Sequence, residues 1–526
     1  MAIITFLGTT ISNWSATSSW STGTIPTLGD LVIFTSSSAT CSLNQIGTCS
    51  AIDFTNYNKQ FRFNNNFISV YGTVSFGPNM GYSFSTPVAF SYNLLQRGTG
   101  SIITNNATVS VPFLIYGDGV ATTHTITGNL NMAENLSISA GGGALTQTIN
   151  GSTISCSKNL RFNDTGGNSS ASGTTGSATF LLNGTGTIAY SGGNANGLNN
   201  NLTVNTSGTI TLGSTIYIKG NLNWVSGLGA GAFSFLWLAP ATFTNIPFNS
   251  GTYAVFGIGT NGSNGIVTLA NDFYTQRSVN TSGGQLNTGN IYTYGGLNNA
   301  TNTLSGSSLI TVTGTSSTSN ATIAASTNNN LNMVINTPGI VTLSGIWGGS
   351  TFVYTAGNVN PTTFTVAGSN ATITMPSSKF TTVSIGGLSQ TISLLSNWNI
   401  TTLTIANNNV SFTGSNAWTT DIFNNTSTTN INILTLKDGL TYSINRAFTI
   451  TPQSYGGNFT IQSGASGSYT NLYTAPGATQ TTNNVIFRDV NNVGTPLWIY
   501  NPTIVNSTNI WTLNYLSVQQ NTITTS

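Results

Sequence analysis

The chain has 526 residues, of which 4% are charged; Lys and Arg total 11, Asp and Glu total 9, and the formal net charge is +2. Soluble domains usually carry about a quarter charged residues, and this chain has no Lys/Arg cluster to follow a nucleic-acid backbone or an anionic membrane surface, which argues against both partners. A 38% hydrophobic and 10% aromatic content is too rich for a disordered polar tract, and the longest apolar run, Phe233-Ser-Phe-Leu-Trp-Leu-Ala-Pro240, is too short to cross a membrane as a helix.

Polarity comes instead from Ser, Thr, Asn and Gly. Thr is β-branched and suits strands, while Asn and Gly tolerate tight turns. Helix-forming residues are scarce as a group, Glu134 is the single glutamate, and no long segment repeats its apolar positions every 3.6 residues. An all-β protein is expected.

In chain order, Met1-Ala-Ile-Ile-Thr-Phe-Leu-Gly-Thr-Thr10 lacks the basic stretch of a secretory signal, which favours a virion component over an exported adhesin. Residues 1–125 form an aromatic-rich β module with strands such as Leu31-Val-Ile-Phe34 and Phe67-Ile-Ser-Val-Tyr71. Cys41 and Cys49 could bridge one loop; with Cys156 the odd count argues against a disulfide framework. His124 is the only histidine, so a zinc site is not expected.

Residues 126–430 carry short alternating strands and an internal repeat. Leu202-Thr-Val-Asn-Thr-Ser-Gly-Thr-Ile-Thr-Leu212 aligns without a gap on Met333-Val-Ile-Asn-Thr-Pro-Gly-Ile-Val-Thr-Leu343, and a third copy starts at Val279-Asn-Thr-Ser-Gly283. The unit reads as a strand, an Asn-Thr-x-Gly turn, a second strand, a spacer and a third strand. Stacked copies bury one another's apolar faces, and asparagines repeated from turn to turn form amide ladders. A β-solenoid is therefore expected, with tandem β-sandwich domains as the alternative. Residues 431–526 form a further β module ending in the polar tail Gln519-Gln-Asn-Thr-Ile-Thr-Thr-Ser526.

Two segments resemble known proteins. Asn13-Trp-Ser-Ala-Thr-Ser-Ser-Trp-Ser-Thr-Gly-Thr-Ile-Pro-Thr-Leu-Gly-Asp-Leu-Val-Ile33 is similar to the opening of bacterial surface β-helix proteins and phage proteins. The carboxyl end, with Leu436-Lys-Asp-Gly-Leu-Thr-Tyr-Ser-Ile, Val485-Ile-Phe-Arg-Asp489 and Thr508-Asn-Ile-Trp-Thr-Leu513, resembles a module of phage virion and surface proteins, although Gly494-Thr-Pro496 replaces its usual Gly-Gly. The resemblance implies a right-handed parallel β-helix with a structural or adhesive role, and it carries no catalytic residues to transfer.

Residues able to do chemistry are sparse. The acids are Asp30, Asp53, Asp118, Glu134, Asp164, Asp272, Asp421, Asp438 and Asp489, and no two lie closer than 16 residues. A polysaccharide depolymerase needs two carboxylates close together; Asp118 with Glu134, and Asp421 with Asp438, are the pairs that could stack on adjacent turns. His124 could serve as a base only beside an acid. Gly257-Ile-Gly-Thr-Asn-Gly262 fits a dinucleotide fingerprint, yet a strand rather than a helix follows it, and Asp489-Val-Asn-Asn-Val-Gly494 lacks the ligands of a calcium loop. Asn-x-Ser/Thr sequons such as Asn106, Asn135 and Asn506 arise from composition alone. The tryptophans, Trp14 to Trp511, are read as core or subunit interface rather than sugar platforms.

The expectation is a non-enzymatic virion surface protein, a fibre, spike or capsid decoration, with no catalytic, cofactor or metal residues. Its expected partners are further copies of itself, other virion proteins and host-surface glycans. A secreted bacterial adhesin or filament subunit and a tailspike-like depolymerase are the alternatives.

Overall fold

A computed structural model describes the chain except for residues 85–91, 140–145, 163–172, 191–196, 300–303, 315–320, 330, 348–350, 360–363, 367–370, 375–378, 387–388, 395, 407–408, 427–430, 451–457, 483–484, 501–502 and 514–526. Among the described residues the one helical element is a single 3₁₀ turn, Thr17–Ser19; the rest of the regular structure is strand. Two compact units result, Met1–Asn290 and Ile291–Ser526.

The first unit is a β-solenoid built from parallel ladders. One sheet takes a strand from each turn in chain order: Ile3–Thr5, Leu31–Ile33, Ala51–Asp53, Val74–Ser75, Gly100–Ile103, Thr123–Thr127, Thr146–Gly151 and Gly173–Thr175. A second ladder runs through Gly47–Cys49, Ile68–Val70, Leu94–Arg97, Phe113–Tyr116, Leu136–Ser139 and Leu160–Phe162. A third runs through Thr108–Val109, Leu130–Met132, Thr153–Cys156, Thr179–Leu182 and Leu202–Leu212. Each strand of these ladders meets the equivalent strand of the next turn, and antiparallel contact among the described residues is confined to the isolated bridges Phe6–Trp20 and Asn249–Thr252. Tandem sandwiches would require antiparallel ladders, and these ladders are parallel.

Packing follows from period-2 alternation. In Leu130–Met132, Ile216–Ile218 and Phe273–Thr275 the outer two residues are buried and the middle one is part exposed. The buried residues of successive turns stack into one continuous apolar column. At the start of the chain that column is aromatic: Trp14 meets Trp20 edge-on at 4.9 Å, and Phe34 stacks on Phe54 at 4.9 Å. The indole Nε1 of Trp20 donates to the Trp14 carbonyl at 2.8 Å, so burying this ring leaves no orphaned donor.

In the second unit the ladders alternate between two stacks. One comprises Thr351–Val359, Ala371–Thr374, Ser389–Leu394, Asn409–Gly414, Ile431–Leu436 and Asn458–Ser463. The other comprises Phe364–Val366, Lys379–Ile385, Trp398–Ile405, Trp418–Asn425 and Thr441–Ile450. From Lys379–Ile385 onward the strands of the second stack run to seven residues or more, and the pairing of Trp418–Asn425 with Thr441–Ile450 shifts register between Thr420 and Ile422. Thr441–Ile450 pairs its first half with Thr470–Thr474 and its second half with Thr479–Thr482, so two faces of a turn are made by one strand without a loop.

The repeated segment corrects one expectation. Asn-Thr-x-Gly is not a turn between two strands in either full copy: Leu202–Leu212 is one strand, and Met333–Leu343 lies within the strand Asn332–Trp347. Pairing of the first copy shifts register after Val204 and after Asn205; the second shifts after Ile335 and after Asn336. The backbone N–H of Gly208 donates to Thr206 Oγ1 at 3.0 Å, and that of Gly339 to Thr337 Oγ1 at 3.3 Å. A bulge bends the strand while the threonine hydroxyl takes up an amide that the ladder has dropped. In the third copy Gly283 and Gly284 sit at φ 116° and 99°, and there the chain breaks into two strands, Val279–Thr281 and Gly284–Thr288.

Candidate functional site

The acids among the described residues do not converge. Glu134 follows the strand Leu130–Met132 and takes Lys158 Nζ at 2.5 Å, whereas Asp118 lies beyond Phe113–Tyr116 and takes Arg97 Nη1 at 2.8 Å. Asp421 sits in Trp418–Asn425 and accepts from Asn445 Nδ2 at 3.3 Å; Asp438 lies beyond Ile431–Leu436, in the other stack, and pairs with Lys437 at 2.6 Å. Neither sequence-nominated pair stacks, because each member belongs to a different ladder. The hydroxyl and amide of Thr27 hold the Asp30 carboxyl below the usual carboxylate range, and Lys437 does the same for Asp438. Asp53 accepts from Thr55 N, and Asp272 from Asn290 N, both at 2.8 Å. Asp489 is buried and is bonded by Asn506, and Asp164 lies outside the described residues.

His124 is fully buried in Thr123–Thr127. Its Nδ1 lies 2.5 Å from Gln96 Oε1, and its Nε2 lies 2.7 Å from Thr122 Oγ1 and 3.3 Å from Gln147 Oε1. The amide nitrogens of Gln96 and Gln147 donate to the carbonyls of Gly72, at 3.0 Å, and Val120, at 3.2 Å, which turns both amide oxygens toward the ring. Both amide oxygens can only accept, and the Thr122 hydroxyl also donates to Gln147 Oε1. Burial pulls the imidazole from its ordinary 6.5 down to about 4. The ring is therefore neutral at pH 7, and its partners are neutral amides and a hydroxyl.

Cys41, Cys49 and Cys156 are free and buried, so the bridge weighed for Cys41 and Cys49 does not form. Desolvation drives all three thiols up, Cys156 to about 12, which leaves them without thiolate character at neutral pH. Gly257–Thr260 is a strand and Ile266–Leu269 another, so the glycine run opens no helix; a Cβ at Gly259 would collide with the Asn280 carbonyl. Among the described residues no group of three or more His, Cys, Asp or Glu gathers in metal-binding range.

A cluster of charged and aromatic side chains lies on the second ladder of the first unit. Gln96 is in register with Val70, and Arg97 with Tyr116, which is in turn in register with Ser139. Tyr71, Arg97 and Tyr116 thus occupy successive turns. The guanidinium carbon lies 5.5 Å from the Tyr71 ring centroid and 5.3 Å from that of Tyr116. Nη1 bonds Asp118, as above, and donates to the Tyr71 hydroxyl at 3.3 Å. Asp118 stands at φ 53°, followed by Gly119 at φ 77°, and this left-handed pair turns its carboxylate back onto the arginine.

No protein-family model, curated protein or solved structure matches the chain.

Sequence reading picked out Asp118 only as an acid, and missed Tyr71, Arg97 and Tyr116. They are 26 and 19 residues apart, so the grouping appears only once the length of each turn is known. The tryptophans that the sequence assigned to core or interface are buried wherever their side chains are described: Trp14, Trp20, Trp224, Trp237, Trp347, Trp398 and Trp418. The side chains of Trp498 and Trp511 lie outside the described residues.

Proposed function

We propose that this chain is a structural, non-enzymatic protein of a virus-particle surface, a fibre, spike or capsid decoration that self-associates and helps the particle attach to its host. One observation carries the reading: neutral side chains wire the turns together. Asn159 Nδ2 donates to Asn135 Oδ1 at 2.9 Å, and Thr187 N donates to Asn159 Oδ1 at 2.7 Å. Asn221 N donates to Asn201 Oδ1 at 3.1 Å, and Thr242 N to Asn221 Oδ1 at 2.9 Å. In the second unit Asn491 Nδ2 donates to Asn471 Oδ1 at 3.2 Å, and Thr508 Oγ1 to Asn491 Oδ1. Such columns, over a packed apolar core, make a shape whose stability depends little on salt. That suits a protein exposed to variable surroundings outside a cell.

The resemblance of the two end segments to phage and bacterial surface proteins fits a virion and a cell surface alike. Mass spectrometry of density-purified particles against culture supernatant tests the virion placement. Enrichment of the chain with particles is the expected result; recovery only from a cell-derived sheath or the supernatant would favour the adhesin instead. Incubation with host-surface glycans is expected to release no new reducing ends, and their appearance would restore the depolymerase.

A further inference from the structure

We propose that Tyr71, Arg97, Tyr116 and Asp118 form a binding site for a neutral, polyhydroxylated sugar. The inference deepens the attachment role proposed above and rests on it.

With charged residues at 4% of the chain, a guanidinium, a carboxylate and two part-exposed phenols in mutual contact are a local concentration of recognition chemistry. Both cation–π contacts found among the described residues are made by this one arginine. As a stabilising device the exposed ion pair is worth little, roughly 0–1 kcal/mol, so stability alone gives a weak reason for the cluster. Its geometry has a use. Tyr116 is in register with Ser139, and on the turn before Tyr71 stands Ser50, which follows Cys49, the register partner of Val70. Ser139 is buried, whereas at the Ser50 end Tyr71 keeps 37% of its surface in solvent. A pyranose ring can lay its C–H face against such a phenol. Beside the ring, the Asp118 carboxylate accepts from sugar hydroxyls and the guanidinium donates to them, which provides both halves of the hydrogen bonding that a vicinal diol offers.

Charge selects the class of sugar. Arg97 is already neutralised by Asp118 at 2.8 Å, so the site has no net positive charge for a sialic or uronic acid, and Asp118 would repel one. Val120, 56% exposed in the same turn as Asp118, adds an apolar rim.

The test uses the full chain and defined probes: neutral oligosaccharides of glucose, galactose and mannose, and sialylated and uronate-containing counterparts, read by saturation-transfer NMR and calorimetry. Tyr71→Ala and Asp118→Asn are the diagnostic variants. Glu134→Gln, which breaks an ion pair whose lysine makes no cation–π contact among the described residues, is the control, and circular dichroism checks each fold. The expected result is binding of at least one neutral probe, weakened about tenfold or more by both diagnostic variants and unchanged by the control. Failure of every neutral probe to bind at millimolar concentration, binding indifferent to both variants, or preference for the acidic probes would overturn the site. The outcome separates from that of particle mass spectrometry: a chain on particles that binds no sugar removes this inference alone, and a sugar-binding chain absent from particles removes the virion placement alone.

Discussion

Asn159 stands one turn above Asn135 and hands its side-chain N–H to the Oδ1 of Asn135 at 2.9 Å, while its own Oδ1 receives the backbone N–H of Thr187 at 2.7 Å from the turn beyond. One amide thus links three turns, with both its polar ends occupied. Replacing Asn159 with Ala removes two hydrogen bonds and leaves a part-buried acceptor and donor to find water. A loss of about 1–3 kcal/mol is expected, measured as a lower urea midpoint with an unchanged slope.

Trp418 is fully buried, in register with Trp398, stacked on Phe423 at 5.7 Å and tilted against Tyr442 at 5.1 Å. Trp418→Ala opens a cavity in a column that cannot collapse, because neighbouring turns hold the backbone apart. A cost of about 3–5 kcal/mol is expected, visible as a fall in thermal midpoint and loss of near-ultraviolet dichroism.

Acid destabilises through His124. Its folded pKa, about 4, lies below the ordinary 6.5, so between those values the unfolded chain binds a proton that the folded chain refuses. Stability from this group is complete above pH 6.5 and is lost as pH falls toward 4, by about 3 kcal/mol in total. His124→Gln is expected to flatten the thermal midpoint over that window; a wild-type profile already flat from pH 7 to 4 would refute the assignment.

The equivalent bulges make a paired prediction. Thr206→Val and Thr337→Val each delete a hydroxyl that accepts a glycine N–H, at 3.0 and 3.3 Å. Each is expected to cost about 1–2 kcal/mol, and hydrogen exchange should show faster loss of protection at Gly208 and Gly339 respectively. Protection unchanged at both glycines would show that the hydroxyls do not carry the bend.

Raising NaCl from 0.05 to 1 M, roughly, is expected to leave the thermal midpoint within a few degrees, since the ion pairs at Arg97, Lys158 and Lys437 are part exposed and weak. A drop larger than that on adding salt would mean that charge, rather than packing and neutral ladders, holds the turns.

Strand content was legible because alternation is local. Ile216-Tyr-Ile218 announces one buried face without reference to anything else in the chain. The repeat was legible too, but its geometry was not: Asn205-Thr-Ser-Gly208 has the composition of a turn and forms a bulged strand, because the neighbouring strand Leu222–Ala230 supplies partners on both sides of the bend. Gly283 and Gly284 show the converse, where backbone conformation ends the strand despite the same opening residues.

By itself, the sequence determined that this protein is all-β, nearly uncharged and repetitive, because composition and period-2 alternation act over a few residues at a time. Only the tertiary structure decided which residues meet across turns: that Asp118 faces Arg97 rather than Glu134, and that Tyr71 and Tyr116 enclose that arginine. Those meetings depend on how many residues each turn spends before returning to the same ladder, 26 from Tyr71 to Arg97 and 19 from Arg97 to Tyr116. That length varies with every loop, so one residue more or less would bring a different side chain to the same place.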